Sequence, residues 1–203
     1  MNIGILASHS GTTLQAVIDA WRFGDLQITP RLVISNNSGS GAAVRAQAHG
    51  IPFRHVSSKT HPDAEEEDQA IRDALVSYEV ELVLLAGYMK KLAPETLRRF
   101  RGRVINTHPS LLPRFGGVGM YGGRVHEAVI KAGDTTSGVT IHAVDAEYDR
   151  GPIGAQCEVD VAPNDTSESL AKRVQMREKQ LLIETLRGFT EGRIELPVDN
   201  FGC

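Results

Sequence analysis

The opening stretch Met1-Asn2-Ile3-Gly4-Ile5-Leu6-Ala7-Ser8-His9-Ser10-Gly11-Thr12-Thr13-Leu14 passes from an apolar run through a small, hydroxyl-rich turn into helical periodicity. Ile3 to Ala7 reads as a buried strand. Leu14, Val17, Ile18 and Trp21 then fall at i, i+3, i+4 and i+7 on one helical face, and Gly24 offers the stop. A strand running straight into a helix is the first half of a parallel crossover unit.

The pattern repeats. Leu32 to Ser35, Phe53 to Val56, Leu82 to Ala86 and Val104 to Thr107 read as further short strands. Ala42 to His49, closed by Gly50 and Pro52, reads as the second helix. A third starts at Pro62, carries Asp63 and Glu65 to Asp68 in its first turns, and buries Ile71, Ala74, Leu75 and Tyr78. We read that acidic run as a solvated face favoured by the helix dipole rather than a cation site. A short helix begins at Pro94. The second half is less regular: a glycine-rich stretch (Gly116 to Gly123), a helix with Val125, Ala128 and Val129, β-like runs Val139 to Val144 and Ala155 to Val161, and a helix from about Thr166 to Phe189. The alternation predicts an α/β fold: one doubly wound, mostly parallel sheet of about seven strands flanked by helices. No linker separates two domains, so residues 1–203 are expected to form one, with halves at about 1–100 and 101–203. Ligands of such sheets bind beyond the carboxyl ends of the strands.

Composition narrows the function. The chain has 203 residues, with 22 Lys+Arg against 25 Asp+Glu and a net charge of −3, so no global field favours nucleic acid. The longest apolar stretch, Leu82 to Ala86, is far short of the roughly 20 residues a membrane span needs. The N-terminus lacks the basic and apolar regions of a signal peptide, and Cys157 and Cys203 cannot make a disulfide framework. A soluble, cytoplasmic protein is expected, as monomer or homodimer.

The first βα turn has one of the three glycines of a dinucleotide fingerprint, Gly11, and the second strand ends in Ser35-Asn36-Asn37 without the expected acid. No Gly-Lys-Ser/Thr occurs. Nicotinamide and P-loop chemistry are disfavoured. The turn suits one phosphate, through backbone N–H groups with Thr12 and Thr13, or is a plain turn with a threonine cap.

Val104-Ile105-Asn106-Thr107-His108-Pro109-Ser110-Leu111-Leu112-Pro113 carries the chemistry. Period two puts Asn106 and His108 on the same side, at the carboxyl end of their strand. An amide beside an imidazole can stabilise a developing oxyanion. The acidic loop Asp145 to Pro152 can supply a carboxylate that sets the histidine tautomer. By spacing alone, any given histidine or aspartate is more often a structural or surface residue. Cys157 reads as a small buried apolar residue, and a supporting role for His142 is left open.

This stretch resembles the signature of the folate-dependent formyltransferases. Gly138-Val139-Thr140-Ile141-His142, with Asp149-Arg150-Gly151-Pro152 seven residues on, resembles their second signature, and Met1 to Leu14 and Leu84 to Met89 extend the likeness. Over its whole length the chain is most similar to members that formylate glycinamide ribonucleotide in purine biosynthesis. The resemblance implies a catalytic set of Asn106, His108 and Asp149, with Asn106 and protonated His108 stabilising the oxyanion formed when the amine attacks 10-formyltetrahydrofolate. It implies acceptor contacts from Gly11, Thr12, Thr13, Gly87, Met89 and Pro109, with Glu178 on the ribose. Glu178 also shares a helical stripe with Val174, Leu181, Leu182 and Thr185, so it should turn inward. The folate would lie against Lys90, Leu92 and Ala143, Val144, Asp145, Ala146, Glu147 and Tyr148. Neither metal nor nicotinamide is implied.

The chain departs from the family pattern at Thr13, where asparagine is common, and at Lys90, where arginine is frequent. Its glycine-rich segment is longer than in some relatives, and we read Gly116 to Gly123 as a mobile lid. Members acting on tRNA carry a further C-terminal domain, and hydrolases of the same co-substrate a further N-terminal one, so neither is the expected match. A catalytically silent binding module would not need Asn106, His108 and Asp149 together.

Overall fold

The computed structural model describes residues 1–194, so Cys203 lies outside the described residues. The strands form one seven-stranded sheet in the order β3-β2-β1-β4-β5-β6-β7. The chain divides into two compact units, Met1–Ile105 and Asn106–Cys203.

The first unit holds β1 (Asn2–Leu6), α1 (Thr12–Arg22), β2 (Thr29–Ser35), α2 (Gly41–Ala48), β3 (Phe53–His55), α3 (Ala64–Ser77), β4 (Leu82–Leu85), α4 (Pro94–Arg99) and the start of β5 (Val104–His108). β1 pairs in parallel with both β2 and β4, and β2 with β3. Ile3, Ile5, Leu32, Ile34, Leu82 and Leu84 are fully or almost fully buried, because helices cover both faces. Helix α3 lies close on β1: a Cβ at Gly4 would sit 2.6 Å from Leu75 Cδ2, so a side chain there would force Leu75 to shift. The strand order reverses between β1 and β4, which makes their carboxyl ends the switch point where ligands of such sheets collect.

Differences from the expected elements have local causes. Trp21, on the apolar face of α1, is only half-buried, as are Ala74 on α3 and Tyr78, the C-cap of that helix. Helix α3 begins at Ala64 rather than Pro62, because the Asp63 side chain caps it by accepting the Glu65 and Glu66 N–H groups. Nor is the acidic run uniformly solvated. Glu65 and Glu66 are exposed, but Asp68 is 4% exposed. Its carboxylate accepts the Glu95 N–H at 2.7 Å and the Thr96 N–H at 3.1 Å, together with the Thr96 hydroxyl. It therefore satisfies the first donors of α4, whose own cap residue, Ala93, offers no side-chain acceptor.

The second unit holds the end of β5, α5 (Gly123–Ala132), β6 (Thr136–Ala143), β7 (Ile153–Asp160) and α6 (Ser167–Thr190). β6 and β7 are antiparallel. Helix α6 packs on both and on α5, burying Leu170, Val174, Leu181, Leu182, Thr185 and Leu186. Thr166, expected inside this helix, is instead its N-cap, in a reciprocal capping box with Ser169. Cys157 on β7 is half-buried rather than a core residue.

Candidate active site

The segment after β5 is pinned before it reaches the chemistry. The buried Thr140 hydroxyl on β6 donates to the Ser110 carbonyl at 2.7 Å and accepts the Leu112 N–H at 3.0 Å. Gln156 on β7 donates to the Leu112 carbonyl, and Ser110 to the Arg114 carbonyl. Gly138 is required beneath this loop, since a Cβ there would lie 2.3 Å from the Cys157 carbonyl oxygen and 2.5 Å from Leu111.

Asn106, His108, His142 and Asp149 then converge within the second unit. His108 is buried, with its Nε2 2.8 Å from the Phe115 carbonyl oxygen and its Nδ1 3.5 Å from Asp149 Oδ2. A carbonyl only accepts, so Nε2 carries the proton of the neutral ring and Nδ1 is the nitrogen that can take one up. Asp149 also accepts the Gly117 N–H at 2.9 Å, and its Oδ1 lies 3.5 Å from His142 Nε2. The buried His142 ring donates through Nδ1 to the Ala143 carbonyl at 2.9 Å, which leaves Nε2 to accept from Asn106 Nδ2 at 3.1 Å. The second amide proton of Asn106 is then available to a reacting oxygen.

Electrostatics separate the partners. Burial pushes the His108 pKa below the ordinary 6.5, against the attraction of Asp149 and the Phe115 hydrogen bond, with His142 adding to the depression. Burial thus favours the neutral form of the resting imidazole. Burial acts to raise the Asp149 pKa, but the adjacent His142 and His108 rings and the Gly117 N–H together hold it below 3.8. Asp149 sits at φ 56°, a left-handed conformation that costs a non-glycine residue energy and that surrounding contacts must hold. Just beyond it, a Cβ on Gly151 would meet the Ala143 carbonyl oxygen at 1.8 Å.

Sequence reasoning missed Phe115 and Gly117. They act through backbone groups, which carry no residue-type signal. For His142 the sequence signal is its spacing of two from Thr140 along β6.

In the first unit, the carboxyl ends of β1 and β4 meet at Ser8. Its hydroxyl donates to Asn36 Oδ1 at 2.6 Å and accepts the Met89 N–H at 2.8 Å, while its N–H donates to the Gly87 carbonyl. Gly11 is the N-cap of α1 at φ 68°, with no side-chain cap, so the threonine-capped turn is not what forms. A Cβ on Gly11 would lie 2.8 Å from Ala42 Cα, which explains the glycine. Arg45 on α2 holds this turn by donating to the Ser10 carbonyl at 3.0 Å. Thr12, Gly87 and Met89 are exposed and Thr13 is half-buried. Lys90 is ion-paired with Glu67 at 3.5 Å, and Leu92 is buried at 3% exposure.

Within the second unit, Pro109 is half-buried next to His108, and half-buried Glu178 accepts a hydrogen bond from Thr107. Ala143 is buried, Val144 and Asp145 are half-buried, and Ala146, Glu147 and Tyr148 are exposed. Among the described residues, no group of three or more His, Cys, Asp or Glu side chains is placed to hold a metal ion, and no helix is long and apolar enough to cross a membrane.

A family model described as formyl transferase matches residues 1–186. The phosphoribosylglycinamide formyltransferase of Haemophilus influenzae is 40% identical over 194 residues, which cover 96% of this chain and 89% of that protein. The chloroplastic phosphoribosylglycinamide formyltransferase of Vigna unguiculata is also 40% identical, over 95% of this chain and 62% of its own length. Among solved structures, glycinamide ribonucleotide transformylase 1 from Symbiobacterium toebii superposes with a TM-score of 0.89 at 34% identity, covering 97% of this chain and 93% of that one. With the fold and the Asn106, His108 and Asp149 set in place, this chain belongs to the formyl transferase family.

Proposed function

We propose that the chain transfers the formyl group of 10-formyltetrahydrofolate to the amine of 5′-phosphoribosylglycinamide, giving formylglycinamide ribonucleotide and tetrahydrofolate in purine biosynthesis. The observation that carries the reading is the convergence of Asn106, His108 and Asp149 at the end of β5, with the imidazole neutral and the carboxylate ionised.

In this reading the amine attacks the formyl carbon and the carbonyl electron pair moves to oxygen, where the Asn106 amide donates. His108 Nδ1 accepts the proton that the amine sheds, and Asp149 stabilises the imidazolium so formed. Collapse of the tetrahedral species breaks the bond to the folate N10, which receives that proton. One proton leaves the amine and one reaches N10, so the step balances without metal or nicotinamide. Losing a single oxyanion donor costs about 10²- to 10³-fold in rate.

The acceptor's phosphate is assigned to Gly11, Thr12 and Thr13, supported by the uncapped start of α1. Gly87, Met89 and Pro109 line the acceptor, and Glu178 takes the ribose hydroxyls. The folate lies along Lys90, Leu92 and residues 143–148. The buried Leu92 side chain favours contact through its backbone. The phosphate end is assigned to residues of about 1–100, and the chemistry with most of the folate contacts to about 101–203. Gly116 to Gly123 is assigned as a lid, since its root already touches His108 and Asp149 through Phe115 and Gly117. The enzyme is assigned to the cytoplasm, with two small-molecule substrates.

The test is release of tetrahydrofolate from 10-formyltetrahydrofolate, with the ribonucleotide and with water alone. Turnover that needs the ribonucleotide and collapses in Asn106→Ala is expected. Turnover without it would make the enzyme a hydrolase and overturn the reading.

A further inference from the structure

We propose that Thr107 is a positioning residue for the acceptor's sugar, holding the Glu178 carboxylate in the rotamer that receives the vicinal ribose hydroxyls. The inference rests on the assignment of Glu178 to the ribose. Alternation along β5 sends Asn106 and His108 to one side of the strand and Thr107 to the other. The strand that presents the chemical groups thereby also touches the sugar-binding acid. Thr107 is 9% exposed, and its hydroxyl donates to Glu178 Oε1 at 2.9 Å across 71 residues of sequence.

Glu178 stands on the α6 stripe between buried Val174 and buried Leu181 and Leu182. A glutamate has three side-chain torsions to order. A donor buried at the end of a strand fixes the carboxylate plane from a rigid element. An ionised carboxylate is acceptor-only with about four lone-pair sites. One held by Thr107 at Oε1 still has acceptor capacity for a pair of hydroxyl donors, which a vicinal diol supplies. Preorganising the acid before the sugar arrives removes an ordering cost that binding would otherwise bear. The expected signature is therefore in acceptor affinity, not in the chemical step.

Thr107→Val keeps the β-branched shape that suits a buried strand and deletes only the donor. The expected result is a KM for 5′-phosphoribosylglycinamide raised about tenfold, with kcat and the KM for 10-formyltetrahydrofolate within about twofold of wild type. Thr107→Ser, which restores the hydroxyl, should return the KM close to wild type. The same pair is then compared on acceptors lacking the 2′ or the 3′ hydroxyl. On at least one of them the difference between wild type and Thr107→Val should vanish, because the positioned group has lost its ligand. A Thr107→Val enzyme with wild-type KM overturns the inference alone. So does a defect of equal size on both deoxy acceptors, which would mark a general packing effect. A wild-type enzyme with no acceptor-dependent turnover overturns the functional reading and this inference with it.

Discussion

At the residue scale, His108 and Asp149 form the pair on which the chemistry turns, and their environments push them in useful directions. Burial keeps His108 neutral at rest, while Asp149 favours the charged form it must reach. Because the His108 pKa lies below 6.5, kcat/KM should show an acid limb below that pH. Asp149→Asn removes the group that raises the imidazole pKa, so the limb should move to still lower pH while the rate falls about 10²-fold or more. A pH–rate profile of both enzymes checks the two effects together. An unmoved limb would mean that His108 is not the titrating group. Asn106 and His108 were legible from period two on one strand. Asp149 was legible only through its resemblance to a signature, because a loop acid has no periodicity to betray its direction. The Phe115 carbonyl, which decides which imidazole nitrogen is reactive, was not legible at all.

At the element scale, the short helix α4 shows how a side chain from one element can complete another. Its start was legible from Pro94. The group that satisfies its first N–H donors was not, because Asp68 sits 27 residues earlier in a run of acids that reads as solvated. Asp68→Ala strands the Glu95 and Thr96 N–H groups and should cost about 1–3 kcal/mol of stability. Urea unfolding measures that loss. Activity per folded molecule should be unchanged, since Asp68 touches no group assigned to substrate.

At the scale of the whole molecule, buried histidines set the response to acid. His108 and His126 both have pKa values held below 6.5, chiefly by burial, and His126 Nδ1 has no hydrogen-bond partner among the described residues. The unfolded chain therefore binds protons at these sites before the native one does. Stability should fall as pH drops below 6.5, by up to about 1.4 kcal/mol per pH unit for each histidine until its folded pKa is passed. Asp149 has the opposite dependence on its proton: its folded pKa is depressed, so its contribution is intact above about 3.8 and is lost only as pH falls through the folded value. It plays no part between pH 6.5 and 5. Melting temperature measured from pH 8 to 5 should decline in that window, and His126→Gln should flatten the decline.

The residue order by itself determined the alternation of strands and helices, their approximate limits, and which residues of β5 share a side. Those features follow from short-range periodicity, which each segment carries independently of the rest. Only the tertiary structure decided that Asp68 is a cap rather than a surface acid, that Phe115 and Gly117 hold the His108 and Asp149 pair, and that Thr107 reaches Glu178. Each of these is a hydrogen bond between groups distant in sequence or borne by the backbone. Such a bond is chosen by burial, where a polar group left unpaired costs more than the ordering needed to pair it.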